Sequence, residues 1–323
     1  MSEEGLDLSE GERERQRHAF IGQRPLSPLL GDAGMRRYFR CDRGILLDCP
    51  PELGGVASFI HYSELFQELP VPTVIGYNLE QGFVLLEDFG DRWLLEDLRV
   101  NAAAFMAKAL TLLGRWQQTT AHLHSQLKPY DAPVLEEELQ RFRQWFLPYG
   151  QVDVSLFDRL KLTSELNYLS QHMAKFQTVC VHRDYHSRNL MVLTKELARA
   201  PEGLGILDYQ DTLLGGPAYD LISITRDCYI SYDRSQVEGW EEEFRAVHHP
   251  DFTPAQWAEL CDVSALQRHL KVLGLFVRLA QRDGKGGYLQ YLPRVLAYAR
   301  DEARRLGLSI ISKYLEKAQL PHG

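Results

Sequence analysis

A change of apolar period near residue 90 constrains this chain more than any other feature. Between residues 26 and 90 the apolar residues come in short extended runs, at 26–30, 37–41, 44–48, 74–79 and 82–87. Asp42-Arg43-Gly44 and Glu80-Gln81-Gly82 fall between such runs and suit hairpin connections. Only Phe59, Tyr62, Leu65, Phe66 and Leu69 recur at helical spacing in this stretch. The expected order is β-β-β-α-β-β. After Gly90 the period becomes helical at 103–124, 135–147, 156–173, 217–230, 254–281 and 289–313, with Phe105, Leu110, Leu113, Trp116 and Leu123 on one face of the first. These two textures predict an α+β protein with a β-rich amino-terminal domain over 1–90 and a mainly helical domain over 91–323.

At 323 residues the chain can bury two cores, and its 45% apolar and 25% charged residues are ordinary for a globular protein. A net charge of −8 gives no general basic field, which argues against nucleic acid or an anionic membrane as the main partner. Any phosphate must then be held by a local site. Cysteines 41, 49, 180, 228 and 261 are odd in number and form no C-x-x-C pair, so neither a disulfide framework nor a zinc ribbon is expected. A reducing cytoplasm fits best. The first twenty residues are charged without an apolar core, and no run approaches the roughly 20 apolar residues a bilayer span needs. Their Glu/Arg mixture predicts a short solvated helix or a frayed end.

The chemistry concentrates between Val179 and Asp211. Val181-His182-Arg183-Asp184-Tyr185-His186-Ser187-Arg188-Asn189 precedes an apolar strand and then Ile206-Leu207-Asp208-Tyr209-Gln210-Asp211. An acid, an amide five residues later and a second acid after a strand are what phosphoryl transfer requires. One carboxylate orients the attacking hydroxyl, and hard oxygen donors hold a divalent cation on the phosphates. His182 and His186, four residues apart without a third soft ligand nearby, suit hydrogen-bonding support of the loop better than a metal.

This constellation resembles the catalytic and metal loops of the aminoglycoside phosphotransferases and choline kinases, with the HRD spelling of protein kinases. The resemblance implies a two-lobed, protein-kinase-like fold using magnesium and ATP. It makes Asp184 the catalytic aspartate and Asn189 and Asp208 the magnesium ligands. Asp220, in Gly216-Pro217-Ala218-Tyr219-Asp220, resembles the family's internal brace of the catalytic loop. The stretch from Leu30 to Arg40 resembles the phosphate-covering loop, placing Asp32, Ala33, Gly34 and Arg37 at the nucleotide, although the same residues suit an ordinary hairpin turn. Glu87 and Asp88 correspond to the hinge, whose backbone meets the adenine edge. One departure stands out: the strand 44–48 ends in Asp48 where a phosphate-binding Lys or Arg is expected, so Arg36, Arg37 or Arg40 must supply the charge or the site is impaired.

GDAGMRRYFR, LLDCPPE, GFVLLEDFGD and the stretch 206–230 are similar to the anomeric sugar kinases of bacterial cell-wall recycling. That resemblance implies phosphorylation of N-acetylmuramate or N-acetylglucosamine at the C1 hydroxyl, with small-molecule partners alone. Arg183, Asp211 and Arg226 are candidate substrate contacts, the arginines because a guanidinium fork suits a carboxylate. Each arginine suits an ion pair with Asp220 or Asp227 somewhat better than a substrate contact. An aminoglycoside or choline kinase, or a non-catalytic nucleotide-binding scaffold, remains an alternative on sequence grounds.

Overall fold

The computed structural model describes residues 10–29 and 36–321. Its elements run α1 (Glu10–Ile21), β1 (Ser27–Leu29), β2 (Arg37–Cys41), β3 (Gly44–Asp48), α2 (Ala57–Leu65), β4 (Val74–Asn78) and β5 (Phe83–Leu86). Then come α3 (Leu94–Val100), α4 (Ala102–Thr119), α5 (Ala132–Arg141), α6 (Leu147–Tyr149), α7 (Leu156–Met173), β6 (Val179–Val181), β7 (Leu190–Val192), β8 (Leu204–Ile206) and β9 (Leu213–Gly215). The chain closes with α8 (Tyr219–Thr225), α9 (Arg234–His248), α10 (Pro254–Gln281), α11 (Leu292–Arg305) and α12 (Ser309–Lys317). Two compact units result, one holding the residues up to Arg92 together with Met191–Gln210, the other Trp93–Leu190 and the chain from Asp211 onward.

The first unit is built on a five-stranded antiparallel sheet of order β1-β2-β3-β5-β4. Leu46, Leu47, Phe83 and Val84 of the inner strands are fully buried. The β2–β3 turn closes at Gly44, whose φ of +140° and 2.0 Å approach of a Cβ position to the Leu86 carbonyl admit no side chain. Helix α1 is a working part of this unit and not the solvated segment its composition suggests. Ile21 packs with Leu46 and Phe83, Phe20 stacks on Phe83 at 5.5 Å, and Arg13 and Arg17 are buried. The hairpin around β7 and β8 joins the same unit, with Ile206 N–H donating to the Pro70 carbonyl (2.8 Å) and Phe89 packing with Met191 and Leu193.

The second unit is helical around α10, whose start is fixed by a Thr253–Gln256 capping box with Pro254 in the first turn. From Trp257 to Leu279 most residues of this helix are buried, the polar Asp262, Gln267, Arg268, His269 and Lys271 among them. It crosses the chain at Arg141 so closely that a Cβ on Gly274 would lie 2.2 Å from the Arg141 carbonyl. Helix α9 is an element the apolar pattern did not announce: it begins at an Asp233–Gln236 capping box and contains the acidic run 241–243. The helix expected over 289–313 is interrupted between α11 and α12 at residues 306–308. No helix among the described residues is long and apolar enough to cross a membrane.

Candidate active site

In the second unit, β6 pairs antiparallel with β9 and delivers the chain into the loop 182–189. Two backbone donors, His182 N–H (2.6 Å) and Arg183 N–H (3.0 Å), meet the two carboxylate oxygens of buried Asp220 at the start of α8. These bonds hold Arg183 in the left-handed region at φ +76°, which reverses the chain just before Asp184. After Asp184 the loop closes on itself: His186 N–H and the Asn189 side-chain amide both donate to the Asp184 carbonyl, at 2.9 and 3.0 Å. Ser187 N–H donates to Asp227 (2.8 Å), and the Tyr185 hydroxyl to the Ala109 carbonyl (2.8 Å). Every one of these bonds fixes backbone, while the Asp184 carboxylate keeps 41% of its surface exposed.

Cations surround that carboxylate. Burial would raise its pKa, but Lys271, Arg268, His186 and Arg183 outweigh burial and hold it below the usual carboxylate range. Arg268, from α10, reaches it directly at 3.5 Å. Lys271, one turn on, is bound by buried Glu138 at 2.8 Å, and Glu138 also pairs with Arg183. Burial pushes Glu138 up, and these two cations more than reverse that, to about 2. Asp220 behaves oppositely: burial pushes it up to about 7 against its two backbone donors.

The first unit carries Asp208 and the sequence-expected nucleotide residues. Asp208 follows β8 at φ +60°, and its Oδ1 accepts from Gln210 at 2.7 Å and faces Arg36 at 3.8 Å. The next residue anchors the turn: the Tyr209 ring packs on Phe59 at 5.3 Å and its hydroxyl bonds Ser63 at 2.7 Å. Glu87 accepts from Thr73 N–H (3.1 Å) and pairs with Arg199, while Asp88 accepts from Gly90 N–H (2.8 Å) and pairs with Arg40. Asp32, Ala33 and Gly34 lie outside the described residues.

Arg37 is placed differently from its expected role at the nucleotide. It stands opposite Asp48 in the β2–β3 register and pairs with Asp48 and Glu10, toward α1. Asp48 itself is fully buried beneath α1 and so faces no ligand. Strand alternation puts Arg36 and Arg40 on the face opposite Arg37. Of the two, Arg36 faces Asp208 at 3.8 Å, while Arg40 pairs with Asp88.

Among the expected substrate contacts, Arg226 is corrected. It is 1% exposed and bonds Glu241, Asp262 and Glu302 in the core, carboxylates other than the Asp220 and Asp227 considered from sequence. Asp211 is exposed, and its carbonyl accepts from Arg183 at 3.2 Å. His182 is buried, with Nδ1 3.3 Å from the Asp184 N–H, and the ring of His186 meets Tyr229 edge-on at 5.2 Å. Sequence reasoning missed Glu138, Arg268 and Lys271. The signal for Arg268 and Lys271 was charge inside an otherwise apolar stretch, since they interrupt Val263, Leu266, Leu270 and Leu273.

Within the second unit the Asn189 side-chain nitrogen donates to the Asp184 carbonyl at 3.0 Å, and within the first unit the Asp208 carboxylate is 46% exposed.

The phosphotransferase enzyme family matches residues 25–260 of the chain. N-Acetylmuramate/N-acetylglucosamine kinase of Pseudomonas aeruginosa is 32% identical over 314 residues, covering 92% of this chain and 89% of that protein. The enzyme of the same name from Neisseria meningitidis serogroup B is 33% identical over 291 residues, covering 85% and 84%. Among solved structures, a choline/ethanolamine kinase family protein from Mesorhizobium loti superimposes with a TM-score of 0.62 at 12% identity over 94% of this chain and 99% of that one. The ADP-bound aminoglycoside phosphotransferase APH(2'')-Ib gives 0.57 at 13% identity over 96% and 98%. At such identities the likeness is one of fold.

Proposed function

The chain belongs to the phosphotransferase enzyme family, and we propose that it transfers the γ-phosphate of ATP to the anomeric C1 hydroxyl of N-acetylmuramate or N-acetylglucosamine, as a cytoplasmic step of peptidoglycan recycling. The observation that carries this reading is the setting of Asp184: a part-exposed carboxylate on a fully tied loop, kept ionised by Lys271 and Arg268. Such a group is a weak base, which suits an anomeric hydroxyl because that hydroxyl is more acidic than an ordinary alcohol. Two relatives carrying that enzyme name, matched over most of both chains, support the substrate class.

In the proposed reaction Asp184 accepts a hydrogen bond from the C1 hydroxyl and then its proton. The sugar oxygen forms the new bond to the γ-phosphorus as the bond to the β-phosphate oxygen breaks, releasing ADP. Asn189 and Asp208 are the residues that would hold magnesium, which when bound neutralises charge on the phosphates. Arg36, on the strand face that looks toward Asp208, would add a guanidinium to the same phosphates. Glu87 and Asp88 would present backbone to the adenine edge, their side chains being engaged with Arg199 and Arg40. Arg183 and Asp211 belong to the acceptor side of this proposal.

The charges acting on Asp184 argue against an aminoglycoside acceptor. A polycation calls for uncompensated carboxylates, whereas the groups that shift Asp184 are Lys271, Arg268, His186 and Arg183. Comparing each free sugar with its methyl glycoside, with ATP and magnesium and the product read by phosphorus NMR, tests the reading. A sugar 1-phosphate from the free sugar and no product from the glycoside are expected. Phosphorylation of the glycoside would place the chemistry on another hydroxyl and leave only the kinase activity standing.

A further inference from the structure

Arg268 is almost wholly removed from water, with 3% of its side chain exposed. A guanidinium so placed needs full acceptors. Two acceptors of its Nη1 belong to consecutive loop residues: the Arg183 carbonyl at 2.6 Å and Oδ1 of Asp184 at 3.5 Å. Its carbon centre also lies 5.7 Å over the Tyr219 ring, beside Asp220. Arg183 is the residue held at φ +76°. Asp220 grips its N–H and Arg268 grips its carbonyl, so the strained unit is clamped at both ends.

The clamp has a chemical direction. A carboxylate whose Oδ1 faces a guanidinium has that oxygen's lone pairs drawn toward the cation, and the accepting capacity left for a new donor is concentrated on Oδ2. Lys271 does not compete for this place, because Glu138 holds its ammonium at 2.8 Å. We infer that Arg268 is a positioning residue for phosphoryl transfer: by binding the Arg183 carbonyl and standing against Oδ1 of Asp184, it sets the carboxylate so that Oδ2 receives the acceptor hydroxyl. The inference rests on the reading of Asp184 as the group that orients that hydroxyl.

The test compares Arg268→Ala and Arg268→Lys with wild type in kcat, sugar KM, nucleotide affinity by calorimetry, and melting temperature. Misorientation at a reacting centre costs up to about 100-fold, so Arg268→Ala is expected to lose roughly that in kcat while nucleotide affinity stays within about twofold. Arg268→Lys keeps the buried charge but not the fork, and an intermediate loss on the order of 10-fold is expected. Should the alanine variant not fold, the lysine variant decides alone. Wild-type kcat in Arg268→Lys overturns the inference and leaves Asp184 untouched. A parallel fall of kcat, both affinities and melting temperature also overturns it, because that pattern marks a purely structural arginine. Asp184→Asn separates the two readings: full turnover in that variant removes the catalytic aspartate itself, whatever Arg268 does.

Discussion

Arg13 and Asp48 stand 35 positions apart in the chain and 2.6 Å apart in the structure, both buried. Arg17 reaches the other oxygen of the same carboxylate at 2.7 Å, and Arg37 joins it at 3.1 Å. The acid found where related sequences lead one to expect a phosphate-binding base is therefore a docking point for α1.

Asp48→Ala should destabilise the protein by about 3–5 kcal/mol, because removing one partner of a buried charge cluster leaves the other charges without compensation. Urea denaturation measures this. A loss below about 1 kcal/mol, the range of exposed pairs, would mean that Arg13 and Arg17 reach water once the carboxylate is gone.

Asp208→Ala should abolish magnesium-dependent nucleotide binding, and Asn189→Ala should weaken it less, since a carboxylate contributes more to a hard dication than an amide. Calorimetry with a nonhydrolysable nucleotide, with and without magnesium, reads the difference. Equal magnesium dependence in wild type and Asp208→Ala rules out this ligand.

Arg36→Ala should raise the nucleotide KM on the order of 10-fold, the scale of one charge-assisted contact to phosphate. Arg37→Ala should leave it within about twofold, because its guanidinium is turned toward Asp48 and Glu10. A larger effect at Arg37 than at Arg36 would reverse the assignment of strand faces at the nucleotide.

Local signals carried most of what could be read in advance. The order β-β-β-α-β-β follows from short extended apolar runs separated by turn residues, and the sheet has the strands this order requires. The loop from His182 to Asn189 was visible because its chemistry is contiguous in sequence. What stayed hidden is long-range. The arginines of α1 read as a solvated face because their partner lies more than 30 residues on. Helix α9 was obscured because its buried Val237, Glu241 and Phe244 mix an acid into the apolar stripe, and that acid is there to meet Arg226. Arg226 looked like a ligand contact for the same reason: nothing near it in sequence reveals three carboxylates converging from α9, α10 and α11. Arg268 sits more than 80 residues after Arg183 and Asp184, which it contacts.

The contact at Gly274 gives this arrangement a signature that can be sought in other genomes. Glycine is the residue type that lets α10 lie against the Arg141 carbonyl, and Gly274 is six residues, under two turns, after Arg268. A homologue with any side chain at that position must have shifted or rotated this helix, and the arginine would travel with it. The two positions should accordingly change together over evolutionary time, a glycine with the guanidinium and a larger residue without it, so that one letter in an alignment reports how a distant relative holds the carboxylate that corresponds to Asp184.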